Sequence, residues 1–129
     1  MQTKSIEQLE NDYWKEPSEF STNLIERCFE YRKVAISELT IEQIRLLISQ
    51  EIGTEYLMEI VLEILKQNIV AEGDLYEGDL LVAVSKIPTE FWSNNSVEFL
   101  NFKNIVELNK EKIISELGEK EYLRIKEIV

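Results

Sequence analysis

An all-α fold is predicted for this chain: one compact domain over residues 1–129, built as a bundle of about six to seven short helices. Three observations predict it. Apolar residues recur at spacings of three and four almost from end to end, as a helix with one buried face requires. The patterns Ser5-x-x-Gln8 and Thr40-x-x-Gln43 each precede an apolar run and read as capping boxes, in which side chain and backbone at a helix start satisfy each other's donors. Finally, 129 residues with 44% apolar content supply one real core, and 30% charged residues supply its surface.

Taken in order, the first helix opens at Ser5, carries Ile6 and Leu9, and ends before a loop at Pro17. A second begins near Ser21 or Thr22 and places Leu24, Ile25, Cys28 and Phe29 on one face. Thr40 caps the third, with Leu39 able to pack on Ile44 and a stripe of Ile41, Ile44, Leu47 and Ile48 behind it. Gly53 breaks that run, and Thr54 is expected to cap the fourth helix. Leu57, Ile60, Val61, Ile64 and Leu65 give this helix the clearest period in the chain. Glu55, Glu59 and Glu63 line a neighbouring strip. Like charges four apart each cost a few tenths of a kcal/mol in an isolated helix, so burial of the opposite face must hold it. The strip is a solvated face or a place where a basic partner relieves the repulsion.

The run Leu80 to Pro88 reads as a helix rather than a strand, because Asp79 can serve as its N-cap, Leu80, Leu81, Val84 and Ile87 share one face, and Pro88 stops it. Phe91 and Trp92 are expected to fold back on the core. From Ser96 to Val129 the pattern is one longer helix, a turn at Gly118 and a closing helix with Tyr122, Ile125 and Val129, a helical C-terminal extension of the same domain.

Composition narrows the chemistry. With 14 basic against 25 acidic residues the net charge is −11, which disfavours direct contact with nucleic acid or an anionic membrane and favours a basic protein partner or plain solubility. The tail from Ser96 carries six basic and seven acidic residues, so the acidic excess lies before it. There is no histidine, hence none of the commonest general base or metal ligand. The one cysteine, Cys28, is read as a buried inert thiol. The N-terminus shows no apolar signal core, and a reducing cytoplasm is the expected location. No nucleotide loop, zinc motif or nucleophile elbow occurs, so no catalytic residue, metal ligand or cofactor is assigned.

The most concentrated polar feature is EGDLYEGDLL, Glu72 to Leu81, with Glu72, Asp74, Glu77 and Asp79 around Gly73, Gly78 and Tyr76. It lacks the alternating ligands of an EF-hand, and catalytic use of its paired carboxylates needs a pocket that residues alone do not show. Gly73 and Gly78 are read as permitting backbone turns, and Asn or Ala replacements there would test for positive φ. Arg45 and Asp79 are expected to form a partly buried pair between the Thr40 helix and the Asp79 helix. Trp14 and Trp92 are read as core, and Tyr76 as either a core lid or a binding residue.

The order SIEQLENDYW, YRKVAISELTIEQIRLLISQEIGTEYL, AEGDLYEGDLL and IPTEFW resembles the helical immunity proteins of contact-dependent growth inhibition systems, over about residues 5–92. In that family a proline commonly stands where this chain has Val34 and another where it has Ile69; these departures touch helix boundaries rather than polar chemistry. The resemblance implies a non-enzymatic inhibitor that binds the cognate C-terminal toxin domain of a neighbouring bacterium, commonly a nuclease with a basic cleft. It implies a monomer in the free state and a 1:1 complex. The candidate contacts are Glu72, Asp74, Tyr76 and Glu77, with Glu55, Glu59 and Glu63 as a second acidic surface, while Arg45, Gly53, Gly78, Asp79, Trp14 and Trp92 are architectural. The alternative is a small acidic helical adaptor or dimerisation module with no toxin.

Overall fold

The computed structural model describes residues 2–129. Among them lie nine α-helices: α1 (Ile6–Glu10), α2 (Asn23–Tyr31), α3 (Ile41–Ser49), α4 (Thr54–Gln67), α5 (Asp79–Ser85), α6 (Thr89–Asn94), α7 (Ser96–Leu108), α8 (Lys110–Leu117) and α9 (Glu119–Ile128). A 3-10 turn spans Ile36–Glu38, and among the described residues the extended backbone pairs only in an isolated antiparallel bridge between Ser5 and Ala35. The all-α expectation holds.

The first three helices start at a side-chain cap. At α1 the Gln8 N–H donates to Ser5 Oγ and the Ser5 N–H donates back to Gln8 Oε1; Thr40 and Gln43 repeat the exchange at α3. Thr22 caps α2 by accepting from the Ile25 N–H. Thr54, expected as a cap, is instead the first residue of α4, and Gly53 takes the cap position at φ +65°. That turn must be glycine for a second reason: a Cβ there would lie 2.7 Å from Ile6 Cδ1.

The tail has the expected turn at Gly118 and closing helix, but the longer helix expected before that turn is not continuous. It is divided at Asn109, whose side-chain N–H donates to the Ile105 carbonyl at 2.8 Å. Asn95 does the same to Phe91 between α6 and α7. An asparagine side chain that takes a carbonyl of the preceding turn offers the backbone an exit from the helix, which is why single residues separate elements that apolar spacing alone joins.

The core is one buried cluster drawing on residues from Ile6 to Ile125. Its centre is α5, which packs on α3 and α9 and buries Leu80, Leu81 and Val84 completely. On the other side α4 packs on α3 and α7 through Leu57, Val61, Leu65 and Phe102. Trp92 joins the core as expected and stacks on Phe102 with ring centroids 5.4 Å apart. Ile25, expected on the buried face of α2, is exposed: this helix packs mainly on α3 and buries only Cys28 and Phe29. Burial raises the Cys28 thiol pKa, consistent with an unreactive side chain.

Trp14, read as core, is 38% exposed. Its ring lies 4.2 Å from the guanidinium of Arg32, which is almost fully buried. Arg32 also donates to Glu10 Oε1 at 2.6 Å and to the Asp12 carbonyl at 2.8 Å. The segment after α1 is thus strapped to α2 by one buried charge, with the tryptophan as its outer cover.

Candidate functional site

Residues 68–78 join α4 to α5 and contain no helix, yet over the acidic part, 72–78, the backbone is tied down at nearly every step. Asp79 Oδ1 accepts from the Gly73 N–H at 2.6 Å, and Asp79 Oδ2 accepts from Leu75 and Tyr76 at 3.0 and 3.4 Å. Glu42 Oε1, on α3, accepts from the Asp74 N–H at 2.9 Å. The Gly78 N–H donates to the Val70 carbonyl at 3.0 Å and closes the loop on itself. A loop most of whose donors point inward turns its side chains outward, and Glu72, Asp74, Leu75, Tyr76 and Glu77 are indeed exposed.

Asp79 therefore does not cap α5. It is the first residue of that helix, and its carboxylate turns back into the loop, because Gly78 at φ +88° reverses the chain just before it. A Cβ on Gly78 would also meet Leu117 Cδ2 at 2.8 Å. Gly73 does not adopt positive φ; it is glycine for space, since a Cβ would lie 2.6 Å from Glu42 Oε1.

Behind the loop the charges form a compact set. Arg45 donates to both oxygens of Glu42, through Nε and Nη2 at 2.6 Å each, and stands 3.9 Å from Asp79 Oδ2. The nearest partner of Arg45 is thus Glu42, one turn earlier on α3, and Asp79 is the more distant one. The side chains are 11%, 14% and 1% exposed for Arg45, Glu42 and Asp79, which makes the set an internal brace. The Arg45 hydrogen bonds hold the Glu42 pKa below the usual carboxylate range, aided by the Asp74 N–H, and Glu42 raises that of Arg45.

Two hollows flank the loop. One of about 380 Å³ is bordered by Tyr31, Thr40, Gln43, Glu72 and Asp74. Another of about 440 Å³ lies between Tyr76 and Glu77 on one side and Val82, Glu116 and Glu121 on the other. Tyr76, left open between lid and contact, is 47% exposed at this edge. Both hollows are shallow and polar, suited to complementary protein side chains rather than to an enclosed small molecule. Among the described residues no group of three or more carboxylate or thiol side chains converges as a metal site, and no helix is long and apolar enough to cross a membrane.

Glu55, Glu59 and Glu63 stand apart from the loop, on the exposed strip of α4. They border a groove of about 590 Å³ shared with Glu98, Ile105 and Leu108 of α7. Sequence reading missed this second wall, because the pairing of α4 with α7 is a tertiary fact. It also missed Glu42, for which a signal exists: Glu42 and Arg45 are three apart and opposite in charge, the spacing of a helical ion pair. Arg32 gave no comparable sign, since Glu10 and Asp12 reach it across about twenty residues of chain.

Comparison with known proteins gives one match. The family model described as CDI immunity proteins matches residues 8–102, which is more than half of the chain and extends past Trp92 into α7 as far as Phe102. No curated protein and no solved structure matches.

Proposed function

The chain belongs to the CDI immunity protein family, whose members neutralise toxins, and from that membership we propose that it acts in the bacterial cytoplasm as a one-to-one inhibitor of a nuclease-type toxin domain. Glu72, Asp74, Tyr76 and Glu77 make the primary contact. The observation that carries this reading is the braced loop: four successive backbone N–H groups, from Gly73 to Tyr76, are spent on Asp79 and Glu42, and the side chains face outward from a fixed backbone. Binding by a loop already held in one conformation avoids an ordering cost, which favours affinity at equal contact area.

Charge supports the choice of target. A nuclease cleft is basic because it must hold phosphates, and exposed carboxylates with a net charge of −11 behind them are complementary to such a cleft. Tyr76 adds the kind of amphipathic ring that concentrates energy in interfaces. The protein itself performs no reaction in this scheme; it occupies or covers the site where the toxin would act.

The test begins with the reading frame immediately upstream of this gene: where it encodes a large secreted protein, its C-terminal domain is the toxin domain to use. Co-expression should restore growth, and the two chains should co-purify at equal stoichiometry; continued growth arrest without co-purification overturns the inhibitor reading. Calorimetry should then find binding to the combined variant Glu72→Lys, Asp74→Lys, Glu77→Lys weakened by about tenfold or more, with its helical content and melting temperature close to the parent's. Unchanged affinity would remove the loop from the interface.

A further inference from the structure

The groove between α4 and α7 has a construction unlike the loop's. Its floor is apolar, formed by Met58, Leu62 and Ile105, each 9% exposed or less, and Leu108 stands at its edge 86% exposed. One wall is acidic, with Glu55, Glu59 and Glu63 along α4; the α7 wall carries Glu98 together with Asn101 and Asn104, and Lys66 is the lone cation among the lining residues. Among the described residues none of these four glutamates lies within ion-pair distance of a lysine or arginine. Elsewhere on the surface comparable glutamates do find partners, as Glu107 does with Lys126 and Glu121 with Arg124.

An apolar trough between two helices is where a third amphipathic helix packs, with its apolar ridge on the floor and its polar flanks against the walls. Charge decides what that helix carries. A second copy of this chain would bring an acidic rim to an acidic rim at a net charge of −11 each, and a nucleic acid would bring phosphates. Lysine or arginine at spacings of four would instead match Glu55, Glu59 and Glu63, whose own separation is one helical turn, about 5–6 Å. From Glu55 to Lys66 the groove runs about 17 Å, or roughly three turns.

We propose that this groove seats a cationic amphipathic helix of about three turns belonging to the toxin partner. That the partner is the toxin rests on the inhibitor reading above; the chemistry of the helix rests on the groove alone. The groove shares no lining residue with the hollows beside the loop, so it is a second contact and not an extension of the first.

Two measurements separate the proposal from the reading it rests on. The first uses no toxin: a fluorescent 14-residue leucine/lysine peptide, helical and with lysines four apart, is titrated against the full chain by anisotropy. Glu59→Gln/Glu63→Gln should bind it about tenfold more weakly than the parent, while Glu111→Gln/Glu127→Gln, an equal loss of charge at exposed positions outside the groove, should bind as the parent does. Equal weakening by both pairs would mean adhesion to net charge and would overturn the groove. The second repeats the comparison with the upstream toxin domain. A toxin that binds the parent and the Glu59/Glu63 variant alike overturns the groove and leaves inhibition standing. A toxin that binds neither, while the peptide still selects the groove, overturns the inhibitor reading and leaves the groove's preference for a cationic helix intact.

Discussion

At the scale of single residues, Arg45 holds the loop without touching it. Its guanidinium engages both oxygens of Glu42 and faces Asp79, and these two carboxylates hold the N–H groups of residues 73–76. Arg45→Ala leaves two carboxylates facing each other with little water to compensate, a loss of about 3–5 kcal/mol when a buried pair is broken. Urea unfolding should show that loss, and a parent-like midpoint would mean the backbone N–H groups alone suffice. Glu42 adds a pH dependence of definite sign. Its folded pKa lies below the ordinary value of 4.5, so its contribution is fully present above that value and is lost as pH falls through the folded one. Between about pH 6 and pH 3 the parent should therefore lose more stability than Glu42→Gln, which keeps an acceptor for the Asp74 N–H but no titrating charge; identical pH profiles would remove Glu42 from the brace. Much of this was legible in the chain, since Arg45 and Asp79 were expected to meet. Glu42 as the closer partner was not, although its spacing from Arg45 is local, because a polar residue near an N-terminus also suits the helix dipole and needs no partner to explain it.

Among the elements, starts set by a reciprocal side-chain cap read correctly, while boundaries set by a glycine turn or by an asparagine side chain did not. The starts of α1 and α3 follow from hydrogen bonds within four residues, which a sequence displays directly. The start of α5 depends on a glycine at φ +88° that turns Asp79 away from the helix it was expected to cap, and the break at Asn109 depends on a side chain choosing a carbonyl of its own helix. Neither choice is encoded in apolar period. Helix α4 shows the same division within one element: its buried face was legible from spacing, while the role of its acidic strip depends on α7 lying alongside. The strip also sets function against stability. Glu59 repels both Glu55 and Glu63, so Glu59→Gln should stabilise the free protein by a few tenths of a kcal/mol to about 1 kcal/mol, read as a higher melting temperature. The same variant should bind the toxin less well if the strip meets cations. A variant that gains stability and keeps full affinity would make the strip an ordinary solvated face.

For the whole molecule, charge is the property most plainly legible from sequence, and its distribution carries the argument further than its sum. The segment from Ser96 onward is nearly neutral, with six basic and seven acidic residues, so almost the whole net charge of −11 belongs to the part of the chain that contains both the braced loop and the α4 strip. A basic partner is attracted toward those two acidic surfaces before contact, and attraction at a distance acts on the association rate more than on dissociation. Screening supplies the test. The Debye length shrinks from about 10 Å at 0.1 M salt to about 3 Å at 1 M, so the long-range part of the attraction disappears while short contacts persist. Stopped-flow mixing with the toxin domain should give an association rate that falls by about tenfold or more over that range, with a smaller change in dissociation. The loop variant with Glu72, Asp74 and Glu77 reversed to lysine should start from a slower rate and respond less steeply, because it has lost part of the field that salt removes. A rate insensitive to salt in the parent would place the contact on the nearly neutral C-terminal helices and exclude both acidic surfaces together.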